Sequence, residues 1–213
     1  MFDDVKYFPL LGPKIPPQEW AKIDLEKPFL RMKTEELPVD YLYRILEEVK
    51  HISHQKVFWG GYLEKRIYYG QSRHFTNERQ RRDIHLGIDI WAPVGTPIYA
   101  PTDLIVHSYK YNDQDLDYGG TIVGQLEDES CLLFGHLSLR SLDYIEDKQL
   151  ILKGQVIGWL GDESENGGWP PHLHFQHILD MGNMLGDFPG VVSADQLKDF
   201  IGNCPNPQKF LSL

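Results

Sequence analysis

The stretch Asp83-Ile84-His85-Leu86-Gly87-Ile88-Asp89-Ile90 alternates without a break, with a large aliphatic at every even position and a polar residue or glycine at every odd one. A period of two is the mark of a strand with two unlike faces. This reading buries Ile84, Leu86, Ile88 and Ile90 on one face and presents His85 and Asp89 together on the other. A helix would also bring residues four apart onto one side, but the isoleucines, Gly87 and the nearby Pro93 disfavour it. A straight strand would hold His85 and Asp89 too far apart to meet, because four strand steps span about 13 Å. Gly87 lies between them and tolerates a bend or bulge, so irregular backbone is expected over 85–88.

Working outward, short β-branched and aromatic runs punctuated by Gly, Pro, Asn and Asp continue over 66–69, 97–100, 103–109, 120–126, 131–137, 156–160 and 172–178. Many closely spaced strands imply an all-β core, an antiparallel sandwich or open barrel. Upstream, Pro9, Pro13, Pro16, Pro17 and Pro28 suit an extended arm lying on something larger. Val39, Leu42, Ile45, Leu46 and Val49 then recur at helical spacing and predict one amphipathic helix. Near the end, Ser193 with Gln196 has the form of a capping box, Leu197, Phe200 and Ile201 supply an apolar face, and Gly202 and Pro205 stop the turn. The expected organisation is an arm and helix over 1–57, a β domain over 58–190, and a helical tail over 191–213 packed on that domain.

The chain has 213 residues, 41% of them hydrophobic, which suits one globular core with small additions. Its 21 Lys and Arg against 31 Asp and Glu give a formal charge of −10, which argues against nucleic acid or an anionic membrane as partner. The one basic run, Arg79, Arg81 and Arg82 around Gln80, is flanked by Glu78 and Asp83 and reads as a solvated loop. Met1 to Pro17 opens on Asp3 and Asp4 and then turns rich in proline, unlike an export signal, so a cytoplasmic location is expected. No run of about 18 apolar residues is present. Cys131 and Cys204 are read as free thiols. The sequence leaves the oligomeric state open.

Potential chemistry gathers in three places. In Pro170-Pro171-His172-Leu173-His174-Phe175-Gln176 the two histidines share one strand face while Leu173 and Phe175 face the core. In Leu132-Leu133-Phe134-Gly135-His136-Leu137-Ser138 an apolar strand reaches a histidine at its polar end. Added to His85 and Asp89, these supply the ingredients of a hydrolytic zinc site, two histidines and a carboxylate with one position left for water. A non-haem iron oxygenase uses the same ligand types, but its first ligand pair is normally closer in sequence and no basic anchor for an oxo-acid is evident. His74, in a polar loop upstream of His85, is a second-line candidate for occupying the open position. His51, His54, His107 and His177 read as ordinary surface or strand residues.

In order along the chain, His85-x-x-x-Asp89, Gly95-Thr96-Pro97-Ile98-Tyr99-Ala100, Gly135-His136-Leu137-Ser138, Lys153-Gly154-Gln155-Val156-Ile157-Gly158 and His172-Leu173-His174-Phe175 resemble the lysostaphin and LytM type of zinc endopeptidase. The resemblance covers about residues 84–178. It implies a compact antiparallel β fold of the duplicated hybrid motif type with a groove across a sheet. It also implies a Zn²⁺ cofactor and a peptide substrate, typically in bacterial cell-wall peptidoglycan. Carried across residue by residue, it makes His85, Asp89 and His174 the metal ligands and places His136 and His172 on the attacking water and the transition state. No glutamate adjoins a histidine, so a histidine is the expected general base. Two departures stand out. Trp169 stands where small residues usually precede Pro-His-Leu-His, either narrowing the groove or packing against the arm, and Gln176 stands where an acidic residue is common. A catalytically silent member of the fold acting as a binding module is the alternative, although no ligand of the set is missing.

Overall fold

The alternating stretch breaks where the bend is expected. In the computed structural model, residues 7–26, 38–53, 55–66, 76–77 and 80–212 are described. The arm gives a 3₁₀ turn (Pro17–Glu19) and strand β1 (Ala21–Lys22), followed by helix α1 (Pro38–Ser53) and β2 (Phe58–Gly60). A hairpin of β3 (Thr76–Asn77) and β4 (Gln80–Arg81) leads to β5 (Ile84–His85) and β6 (Ile88–Trp91). Then come β7 (Pro97–Tyr99), β8 (Leu104–Asn112), β9 (Gly119–Gln125), β10 (Cys131–Leu137) and the one-turn helix α2 (Leu139–Leu142). The chain continues through β11 (Leu150–Ile151), β12 (Val156–Trp159), β13 (His172–Ile178), β14 (Val191–Val192) and α3 (Leu197–Phe200), with a last 3₁₀ turn at Pro207–Phe210.

Eight strands form one sheet in the order β1-β2-β6-β13-β10-β9-β8-β11, antiparallel except for the parallel pair β1 and β2. The all-β core is therefore as expected. The pair β7 and β12 makes a smaller sheet whose Ile98 and Ile157 share a core with Ile90, Phe134, Leu173 and Phe175 of the large one. Leu133, Val123 and Cys131 point the other way, into a second cluster with Leu86, Tyr118, Phe188 and Val192. Strand β10 is buried along its whole length because both of its faces are covered, and it accordingly reads in sequence as an apolar run.

The same division corrects one expectation. Ile84 and Leu86 belong to the second cluster and Ile88 and Ile90 to the first, so the four aliphatics do not share a face. The kink at Leu86 and Gly87 moves the chain from the β5–β14 pair into the large sheet. Further differences are local. Strands β11 and β14 are too short to carry a periodic signal, and β8 runs three residues past 109 because it follows β9 to the turn. The expected strand at 66–69 lies outside the described residues beyond Arg66. Gln80 and Arg81 pair with Thr76 and Asn77 rather than lying in a loop, and Arg82 is half-buried.

The arm is integral to the packing. Leu10 and Leu11 are buried in the main core, and Tyr99 N–H donates to Leu10 O at 2.8 Å. Tyr41, Leu42, Ile45 and Leu46 of α1 pack with Ile23, Leu25, Phe58, Trp91 and Trp169. At the other end Ser193 and Gln196 exchange the hydrogen bonds of a capping box, Gln196 N–H to Ser193 Oγ at 3.4 Å and Ser193 N–H to Gln196 Oε1 at 3.3 Å. The helix they begin has a single turn, and Ile201 is 44% exposed rather than part of an apolar face. Among the described residues no helix is long and apolar enough to cross a membrane.

Candidate metal centre and cleft

Register brings the candidate ligands together. Asp89 on β6 lies directly opposite His174 on β13, and Gly135 on β10 flanks His174 from the other side. The break after β5 turns His85 back toward the same point. His85 Nε2 lies 2.9 Å from His174 Nδ1, and Asp89 Oδ1 lies 3.3 Å from the first and 3.2 Å from the second. All three residues are buried.

The far side of each ring is fixed. His85 Nδ1 lies 2.9 Å from Gly61 O, a carbonyl that only accepts, so this nitrogen carries the proton. Gln176 Nε2 donates to Pro189 O at 3.2 Å, which directs Gln176 Oε1 toward His174 Nε2 at 2.9 Å and places the proton there. Two lone pairs, on His85 Nε2 and His174 Nδ1, then converge with a carboxylate oxygen and no proton among them. That arrangement repels itself unless a cation lies at its centre. The separations suit a tetrahedral zinc ion, whose ligand atoms at about 2.0–2.1 Å stand roughly 3.3 Å apart. Electrostatics agree with a neutral, donor-ready His85. Burial, assisted by the Arg66 guanidinium, lowers the His85 pKa to about 4 against the pull of Asp89. Burial opposes ionisation of Asp89, yet His85, Arg66 and His172 together outweigh it and hold its carboxyl well below the usual range.

His136 and His172 stand beside this trio with ring centroids 4.1 Å apart. His172 Nδ1 donates to Pro170 O at 2.7 Å and His136 Nδ1 to Asn166 O at 2.9 Å, leaving the Nε2 lone pair of each available. His172 Nε2 is 3.8 Å from Asp89 Oδ1. Burial first, then neighbouring histidines, keeps His136 well below its ordinary pKa, and burial lowers His172. Both are neutral imidazoles at neutral pH. His136 adopts φ of 62° at a register shift between β9 and β10, with its N–H held by Tyr118 O at 2.7 Å and its carbonyl accepting from Gly161 N–H at 3.0 Å. A non-glycine residue in that conformation is uncommon and is held only where surrounding bonds enforce it.

The five residues open onto a cleft of about 540 Å³. Its walls include Asp115, Asp117 and Tyr118 from the β8–β9 turn, Leu185 and Phe188 from the segment after β13, and Trp169. Trp169 serves both roles weighed for it. It is 4% exposed, packed with Leu25 of the arm and with α1, while bordering the cleft.

Five neighbours of the site carry little sequence signal. Tyr118 places its ring 5.0 Å from that of His174 and its hydroxyl 3.1 Å from Phe188 O. Trp91 stacks on His172 at 5.8 Å, as its register position opposite His172 requires. Arg66 and Glu64 lie in a loop with no periodicity. Arg82, read as solvated, borders the cleft. His74 and His54 lie outside the described residues. His107 bonds Ser108 Oγ, and His177 bonds Ser130 Oγ, away from the cluster.

The bent β scaffold thus carries two histidines and an aspartate whose donor atoms could hold a metal ion, with two further histidines beside them over a cleft. Residues 83–184 match the model of Peptidase family M23. The chain is 30% identical over 118 residues to the peptidoglycan DD-endopeptidase ShyC of Vibrio cholerae, covering 55% of this chain and 25% of that protein. It is 29% identical over 102 residues to lysostaphin of Staphylococcus staphylolyticus, covering 46% of this chain and 19% of that one. It thus spans a quarter or less of these relatives' length. The catalytic domain of lysostaphin from Staphylococcus simulans superposes with a TM-score of 0.44 at 20% identity, over 73% of this chain and 89% of that one.

Proposed function

We propose that this chain is a zinc metalloendopeptidase that hydrolyses short peptide links of the peptidoglycan type. The observation that carries the reading is the convergence of two unprotonated imidazole nitrogens and a carboxylate oxygen within 2.9–3.3 Å, beside a second pair of neutral imidazoles in a cleft. His85, Asp89 and His174 hold the metal in this reading. Zinc, when bound, brings a coordinated water toward a neutral pKa and polarises the scissile carbonyl.

The chain's own residues supply the rest. His172 and His136, each with Nδ1–H fixed on a backbone carbonyl, present Nε2 as proton acceptors, and their lowered pKa values keep those atoms free at neutral pH. One of them takes the proton of the attacking water and passes it to the leaving amine. The other faces the oxygen that gains charge and can donate to it only when its Nε2 has taken a proton from solvent. Tyr118 packs against both His136 and His174 and shields the site on one side. In this reading the peptide lies in the cleft of about 540 Å³ that Trp169, Leu185 and Phe188 help to wall. The peptidoglycan-type substrate is supported by the names of the relatives, ShyC and lysostaphin among them.

The test is metal analysis of the purified protein followed by digestion of defined glycyl and D-amino-acid peptides, with mass spectrometry locating the cut. Stoichiometric zinc and cleavage of a member of this set are expected. Zinc with no cleavage of any peptide favours a silent binding module, and iron in place of zinc overturns the hydrolytic reading.

A further inference from the structure

Asp89 presents its two oxygens to different neighbours. Oδ1 faces His85 Nε2, His174 Nδ1 and His172 Nε2 at 3.3, 3.2 and 3.8 Å. Oδ2 takes Nη1 of Arg66 at 2.5 Å. Arg66 is 2% exposed, a costly place for a cation unless its partners are fixed. Its Nε donates to Glu64 Oε2 at 3.0 Å, and its guanidinium lies over the Trp91 ring at 5.8 Å. The other oxygen of Glu64 accepts Leu25 N–H from the arm at 2.6 Å. The backbone of the same loop continues the brace. Gly61 O orients His85, Arg66 N–H bonds Asp83 O at 2.6 Å, and His85 N–H bonds Glu64 O at 3.1 Å.

From this geometry we infer that Arg66 is a positioning residue of the metal centre, occupying Asp89 Oδ2 so that the carboxylate offers the metal Oδ1 alone. The inference rests on the reading of His85, Asp89 and His174 as ligands. Its physical basis is simple. A carboxylate can grip a cation through one oxygen or through both, and a second bond from Asp89 would fill the position that the water and the substrate carbonyl need. A planar guanidinium anchored on Glu64 and Trp91 cannot follow the carboxylate, so it sets which oxygen turns inward. Arg66, Glu64 and Gly61 precede residues 83–184, so the brace comes from outside the segment that the family model matches, and through Leu25 it reaches the amino-terminal arm.

Cobalt and zinc binding to the full chain test the inference, because the visible spectrum of bound Co²⁺ reports its coordination number and a chelator competition reports Zn²⁺ affinity. In Arg66→Met, the freed Oδ2 should turn to the ion, changing the cobalt spectrum away from the four-coordinate form and altering Zn²⁺ affinity by about 10–100-fold, the usual scale for outer partners of ligands. Glu64→Gln leaves Arg66 in place with one anchor neutralised and should move both readouts in the same direction by less. It also keeps the test open if Arg66→Met does not fold. An unchanged cobalt spectrum in a folded variant of either kind overturns the inference while leaving the metal site standing. Wild-type protein that binds neither ion removes the site reading and this inference with it.

Discussion

Replacing Gly87 by alanine adds one methyl group at the place where β5 and β6 part, and the structure sets how much room it finds. The new Cβ would lie 2.7 Å from Cε1 and Nε2 of His174 and 2.9 Å from Phe175 O. Phe175 O belongs to the central strand β13 and cannot withdraw, so residue 87 itself must shift off it, and the imidazole must give by up to about 0.7 Å to recover a contact of 3.4 Å. Metal–ligand distances tolerate only about 0.2 Å. The displaced His174 therefore loses its place in the trio, and its bond to Gln176 Oε1 is strained at the same time. The expected result is a fall in zinc affinity of at least about 10–100-fold, the scale seen when a ligand's support is removed. Overpacking of this kind costs about 1–3 kcal/mol, which for a chain of this size lowers the melting midpoint by roughly 2–4 °C per kcal/mol. Zinc affinity by chelator competition and melting with and without zinc measure both. A Gly87→Ala protein that binds zinc as tightly as the wild type refutes the packing argument at its root.

Three further outcomes are expected. His136→Ala and His172→Ala should each retain stoichiometric zinc while turnover falls by about 10²–10⁴-fold, the range for a proton-transfer group; retained activity in both, measured on the peptide found to be cleaved, contradicts the assignment. In metal-free protein, burial holds His85 and His177 at about 4 and lowers His136 and His172, so the unfolded chain, with histidines near about 6.5, binds more protons between those limits. Stability is then complete above about pH 6.5 and declines as pH falls toward 4, whereas the contribution of the depressed Asp89 carboxyl goes only at still lower pH; a urea midpoint that stays flat across that window is the contrary result. Trp169→Ala removes a side chain packed with α1 and the arm and should cost about 3–5 kcal/mol in denaturant unfolding, and a loss under about 1 kcal/mol would place Trp169 outside the core.

What could be read from sequence and what could not divide along physical lines. His85, Asp89, His172 and His174 were legible because a strand fixes side-chain direction by parity, and their meeting required only that Gly87 permit a break. The break itself was predictable from the distance the ligands must span. Its consequence, that Ile84 and Leu86 enter a different core from Ile88 and Ile90, was not, because parity says which side a residue faces along a straight strand and nothing about a chain that changes sheets. Arg66 and Glu64 left no trace for a similar reason. They act through long-range contacts from an aperiodic loop, and a buried arginine looks in sequence like any other. Tyr118 sits at the end of a polar turn and earns its place only through the β9–β10 register that sets it beside His136 and His174. The amphipathic α1 was plain from spacing, whereas its partners on Trp91 and Trp169 depend on tertiary packing.

The central claim is that one divalent ion sits among three particular atoms. Crystals of the zinc-loaded protein, with diffraction recorded on both sides of the zinc absorption edge, test it directly. The account predicts a single anomalous peak per chain bonded to His85 Nε2, Asp89 Oδ1 and His174 Nδ1. A peak elsewhere, or one from which any of these three residues is absent, would contradict it.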